Sequence, residues 1–370
     1  MSRSSHIVAA ALVTVAIACS PAPDAQSADS AAADSTSAVG AATGIPRSIT
    51  PDSGERHLTN IRQLTDGGEN AEAYFSADGN RIIFQSTRDG RSCDQQYVMN
   101  ADGSDLRRIS NGEGKTTCGF FYNGDQRVFF ASTQAADSAC PAPLDPSKGY
   151  VWGIDPYDIY TAKPDGSDPQ RLTNYGTYTA EAILSPDGKR IVFTSLKDGD
   201  LDIYTMNVDG SDVRQLTTTP GYDGGPWWSP DGKQIVYRAY HPTDPAELAS
   251  YRELLDQRMI RPNRMELFVM NADGSNQRQV TKLGGANFGP TWAPDGKRIL
   301  FSSNYRNPRS SNFDLYLVNL DGSGLEQVTT SPEFDGFPMF SPDGTKIIWA
   351  SNRLARDEGS TNIFVADWKE

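Results

Sequence analysis

Apolar residues in this chain fall in short runs, β-branched and aromatic, each punctuated by Asp-Gly or Pro-Asp-Gly. Six runs share one pattern: RIIFQS from Arg81, RVFFAS from Arg127, RIVFTS from Arg190, QIVYRA from Gln234, RILFSS from Arg298 and KIIWAS from Lys346. Runs this short and this rich in Val, Ile and Phe predict strands rather than helices. Each follows a tight turn. The turns begin at Ser76, Tyr122, Ser185, Ser229, Ala293 and Ser341, spaced by 46, 63, 44, 64 and 48 residues. A second apolar run follows each first one, from Gln95, Asp158, Asp202, Glu266, Asp314 and Asn362, and five of these end in a second Asp-Gly turn. Asp-Gly suits such hairpins because Gly takes positive φ without steric cost.

The repeat unit is therefore four antiparallel strands. Strand A precedes the first turn, strand B follows it, strand C ends at the second turn, and strand D is a short RQLT-like segment. Strand D occurs at Arg107, Gln170, Arg214, Arg278 and Glu326, but not after the sixth strand C. A lone RQLT stands at Arg62–Thr65, ahead of the first unit. The pattern predicts an all-β fold, a six-bladed β-propeller whose N-terminal strand completes the last blade, leaving no free radial edge.

Six ordered copies of SPDG, strand B, strand C with its "MNADGS"-like end and strand D resemble the WD-like repeats of TolB-type six-bladed propellers. TolB is a periplasmic protein of the Tol system. The resemblance covers about residues 60–370. It implies the fold; function has to come from the site.

The two long spacings are both B–C insertions. One runs from about Thr133 to Gly153 and the other from about Tyr240 to Asn263, so both belong to the same face of the disc. Insertions gathered on one face mark the expected binding face. The blade 4 insertion predicts one short helix, with Asp244 as its cap, Pro245 in its first turn and Leu248, Tyr251, Leu254 and Leu255 at helical spacing. Strand A begins on that face. Six residues before each turn stand Asn70, Thr116, Thr179, Asp223, Asn287 and Asp335, and four before it Glu72 and Glu181. This ring is polar and neutral or acidic. With His241 at the start of the blade 4 insertion, it forms the candidate ligand site at the channel mouth: Asn70, Glu72, Thr179, Glu181, Asp223, His241, Asn287 and Asp335. Its lining favours a cationic or hydroxyl-rich ligand over an anion.

Composition adds a compartment. Residues 1–18 read as a signal peptide, with a basic start and the apolar run from Ile7 to Ala18. The run ends in AIAC, which resembles the bacterial lipobox, with Ala16 where that pattern prefers Leu. The resemblance implies lipidation of Cys19, with Ser20 next to it compatible with the outer membrane of a Gram-negative bacterium. Residues 19–56 read as the lipidated Cys followed by a disordered Ala/Ser/Asp-rich tether, and 57–370 as the propeller. In an oxidising compartment, Cys93, Cys118 and Cys140 predict one disulfide, Cys93 to Cys118, with Cys140 as the alternative partner. The net charge of −13 argues against nucleic acid as a partner.

Catalytic equipment is sparse. His241 is the only His within the repeats, and no nucleophile elbow, phosphate loop or Cys-x-x-Cys occurs. The expectation is a non-enzymatic, monomeric, lipid-anchored binding or scaffold module on the periplasmic side of the outer membrane. It needs no metal or cofactor and takes an envelope protein or a small ligand on the insertion face. The alternative is a hydrolase or lyase acting on a peptide or saccharide, with His241 and Glu247 under the blade 4 insertion.

Overall fold

The computed structural model describes residues 47–357 and 359–370. The expected signal peptide, Cys19 and most of the tether lie outside them. Six antiparallel sheets each run outward in the order A, B, C, D. The inner strands are Glu69–Phe75, Thr116–Tyr122, Thr179–Leu184, Tyr222–Trp228, Asn287–Trp292 and Asp335–Phe340. The protein is thus a six-bladed propeller, as the repeats predict.

The fourth residue of every strand B is aromatic: Phe84, Phe130, Phe193, Tyr237, Phe301 and Trp349. All are buried in the seams between blades. Burying each such ring contributes on the order of 2–3 kcal/mol. A hydroxyl at the end of each strand D then closes its blade. Ser110, Thr173, Thr217, Thr281, Thr329 and Thr65 each accept the amide of the second strand C residue at 2.8–3.0 Å.

Thr65 performs this role for the last blade, although it precedes the first in sequence. The strand Leu58–Gln63 pairs with Asn362–Trp368, with Arg62 opposite Val365. The predicted closure is formed. The tether, however, ends earlier than residue 56. Arg47–Ile49 adds a fifth strand outside Leu58–Gln63, with Ile49 opposite Ile61. Ile49 packs on the core of that blade. A three-residue strand with one apolar side chain leaves no compositional mark, so the sequence reads through it as tether.

The helix spans Pro245–Asp256. The Asp244 carboxylate accepts the Ala246 amide at 2.7 Å and Pro245 occupies the first turn. Its buried face is Tyr251 and Leu255. The Tyr251 hydroxyl donates to Asp200 at 2.6 Å, which docks the helix on the blade 3 loop. Just past the helix, Met259–Ile260 pairs with Trp152–Gly153 of the blade 2 insertion. The two insertions therefore join into one strap.

The disulfide is Cys93–Cys140, not the expected Cys93–Cys118. The blade 2 insertion is not a free loop. It folds back toward blade 1, where Gly114 donates its amide to Ser138 at 2.7 Å, and brings Cys140 to Cys93. Cys118 is held in the inner strand of blade 2 and faces the axis. Among the described residues no helix is long and apolar enough to cross a membrane.

Candidate functional site

Every inner strand carries the same irregularity. The A–B register shifts at one point in each blade, for example between Ala71 and Tyr74 and between Ala180 and Ile183. The residue inside each bulge has positive φ: Glu72 (50°), Cys118 (52°), Glu181 (59°), Gly225 (57°), Gly289 (58°) and Phe337 (56°). Four of these are not glycine, and each of the four costs on the order of 1 kcal/mol in backbone strain. All six face one axial cavity of about 350 Å³. The bulge thus turns one residue per blade toward the axis.

Strap residues Trp152, Ile154 and Ile260 roof this cavity. Its floor is aromatic: the Tyr74 ring lies 5.3 Å from that of Trp227, and both line the cavity. On one wall Arg238 pairs with Glu181, which also accepts the Gly225 amide at 2.8 Å. The Tyr222 hydroxyl accepts from Arg238 at 3.0 Å. The Arg238 guanidinium lies 5.2 Å from the Trp152 ring centroid and 5.6 Å from that of Tyr222. Against the loss of hydration, the Glu181 carboxylate raises Arg238 well above its ordinary range. On the opposite wall Glu72 is partly buried, and among the described residues no Lys or Arg forms an ion pair with it. Burial pushes Glu72 up to about 7; the Cys118 thiol donates to it and lowers it, while the Glu181 charge raises it further.

The expected channel-mouth ring divides. Glu72 and Glu181 line the cavity. Asn70, Thr179, Asp223, Asn287 and Asp335 are fully buried and are not among its lining residues. Asn70 donates to the Thr361 carbonyl at 2.6 Å and accepts from Ser86 at 2.9 Å. Thr179 meets Ser195 at 2.9 Å, and Asn287 bonds Met265 and Ser303, each at 2.6 Å. Asp335 binds Arg353 at 2.7 Å and Trp349 at 2.9 Å. Regular alternation would put positions six and four before the turn on one face. The bulge breaks that alternation, so Asn70 shares the buried side with Ala73 and Phe75, an odd offset.

His241 bonds Asp223 at 2.8 Å outside the cavity, while Glu247 pairs with Arg264 at 2.9 Å. The expected His241–Glu247 couple is therefore split between other partners. Among the described residues no three His, Cys, Asp or Glu side chains gather as a metal site.

Sequence reading did not single out Arg238 or the aromatic floor. Arg238 had a signal: the fifth position of strand B is Gln85, Ala131, Thr194, Ser302 or Ala350 in the other blades, and only here is it charged.

Residues 154–248 and 264–370 match the TolB beta propeller domain, more than half of the chain. Over 39 residues the chain is 49% identical to dipeptidyl-peptidase 5 of Porphyromonas gingivalis, covering 10% of this chain but only 6% of that enzyme. Its fold is similar to the putative TolB of Agrobacterium tumefaciens, with a TM-score of 0.53 and 18% identity over 82% of this chain and 91% of that one. It is also similar to oligogalacturonate lyase from Vibrio parahaemolyticus, with a TM-score of 0.50 and 13% identity over 83% and 93% of the two chains. The repeats, the closure by Thr65 and the family match agree: this chain belongs to the TolB β-propeller family.

Proposed function

We propose that the protein is an exported, lipid-anchored and non-enzymatic binding module of the cell envelope whose ligand occupies the axial cavity under the strap. The observation that carries this reading is the set of six bulges. Each aims a residue at one point, four of them at a cost in backbone strain, and strained residues gathered around one cavity are a mark of function. The cavity volume lies at the lower end of the small-ligand range, and its apolar and aromatic walls with a few polar groups suit such a ligand. A hydroxyl-rich or cationic molecule fits the carboxylates. The roofed mouth and the insertions around it offer the same face to an envelope protein.

A second reading is a hydrolase or lyase. It is favoured by Glu72, whose carboxyl near neutrality is suited to proton transfer. The likenesses to a peptidase and to a lyase point the same way.

Thermal-shift and tryptophan-fluorescence screening of sugars, amines and short peptides, with mass spectrometry of each mixture, tests both. A stabilising compound recovered unchanged supports the binding module. Recovery of cleaved product replaces it with the enzyme. If no small molecule binds and cross-linking from the strap captures an envelope protein, the small-ligand reading is wrong and the scaffold remains.

A further inference from the structure

We infer that the axial cavity accepts an organic monocation, an ammonium group on an apolar body, with Glu72 as its counter-ion. This rests on the binding reading above and narrows its ligand.

The charges around the cavity come in pairs, with one left over. Glu181 is matched by Arg238, and Lys115 by Asp94 at 3.5 Å. Glu72 is the remainder. The groups facing it come from several elements: Tyr74 on its own strand; Cys118 and Tyr157 in blade 2; Tyr178 and Glu181 in blade 3; Arg238 in blade 4; and Asp94 and Lys115 in the loops beside it. Burial raises the phenols of Tyr74, Tyr157 and Tyr178 well above their usual range, so they stay neutral. An anion placed here would meet Glu72 and Glu181 together. A neutral ligand would leave Glu72 without a counter-charge. A cation supplies that charge, and the aromatic rings suit it: Trp152 and Tyr222 already shelter the guanidinium of Arg238.

A consequence separates this inference from generic binding. Glu72 shares its proton near neutral pH, and the cation pairs with the ionised form. Apparent affinity then follows the ionised fraction, so Kd should tighten about tenfold from about pH 6 to pH 8. Binding near pH 7 should also release a fraction of a proton.

The test uses phenethylamine, with 2-phenylethanol as its neutral match and 3-phenylpropanoate as its anionic match. Quenching of tryptophan fluorescence reads occupancy, since Trp152 and Trp227 line the cavity. Calorimetry in two buffers of different ionisation enthalpy reads proton release without any substitution. The amine should bind, the other two should bind at least tenfold more weakly, and Glu72→Gln should abolish both the preference and the pH dependence. Glu72→Asp keeps the charge and should keep the pH dependence at lower affinity. Equal binding of alcohol and amine, a Kd independent of pH, or unchanged amine binding by a folded Glu72→Gln protein would each overturn the inference. So would failure of the amine at millimolar concentration. If the alcohol binds and the amine does not, the cavity is still a ligand site and only the cation assignment falls.

Discussion

Arg353 holds two buried carboxylates at once, Glu55 from the N-terminal segment and Asp335 from the inner strand of blade 6. None of the three reaches solvent appreciably. Arg353→Ala leaves two buried anions unmatched and should destabilise the protein by about 3–5 kcal/mol in denaturant unfolding. Arg353→Lys keeps the charge without the planar fork and should recover only part of this. An Ala variant that unfolds like the parent would refute the role. Asp335 shows why single residues were the hardest scale to read. Its type and spacing suggest a place in a ring at the channel mouth, but which way it points depends on a bulge, and it is buried against Arg353 instead. A bulge has no obligatory residue: Glu, Cys and Phe take positive φ here as well as Gly. Burial also leaves a pH signature. It raises Asp202 and Asp314 to about 6, with Asp223 and Asp335 adding charge repulsion, and raises Glu72 to about 7. A carboxyl with a raised folded value binds protons more readily when folded, so these groups favour the folded state as pH falls from about 8 to 5. The calorimetric Tm should rise by a few degrees over that interval. Lower still, paired carboxylates such as Glu326 and Asp367, held below their usual range by hydrogen bonds and neighbouring cations, must take protons and the trend reverses. A Tm that falls steadily from pH 8 to 5 would contradict the assignment.

At the scale of elements, the repeats made the structure readable. Turn, strand B and strand C recur six times, and copies reinforce one another where a single short apolar run would be ambiguous. The helix was legible from its cap and spacing. The strap was not, because two-residue strands in separate insertions carry no periodicity. The cysteine expectation fails for the same reason: contacts that tie the blade 2 insertion to blade 1 carry no sequence pattern, and they bring Cys140 rather than Cys118 to Cys93. Closing a loop of 47 residues, this bond should contribute about 2–4 kcal/mol. Cys140→Ser should lower stability accordingly and weaken ligand binding by loosening the roof, whereas Cys118→Ser should leave the disulfide intact. Peptide mapping under non-reducing conditions checks the pairing. Truncation to begin at Asp66 removes both outer strands of blade 6, the Thr65 hydroxyl and the Glu55 carboxylate. It should cost several kcal/mol, a large share of the roughly 5–15 kcal/mol available to a domain. A truncated chain that melts with the parent would mean that the ring does not depend on this closure.

The whole molecule joins a closed disc to an N-terminal segment that reads as an export and lipidation signal. If Cys19 carries the lipid, Cys19→Ala should move the protein from the membrane pellet to the soluble fraction; retention in the pellet would count against the anchor. The disc has a further property. Because each blade turns one bulge residue toward the axis, the cavity is written as a word of six letters, one per blade: Glu, Cys, Glu, Gly, Gly, Phe. No letter is needed for the hydrogen-bonded ladder, and the two glycines are blanks that leave the room the others use. A relative could exchange one letter and change what it recognises without redesigning a strand. Chemistry in such a disc can diverge faster than its architecture, with the blades as the grammar and the bulges as the vocabulary.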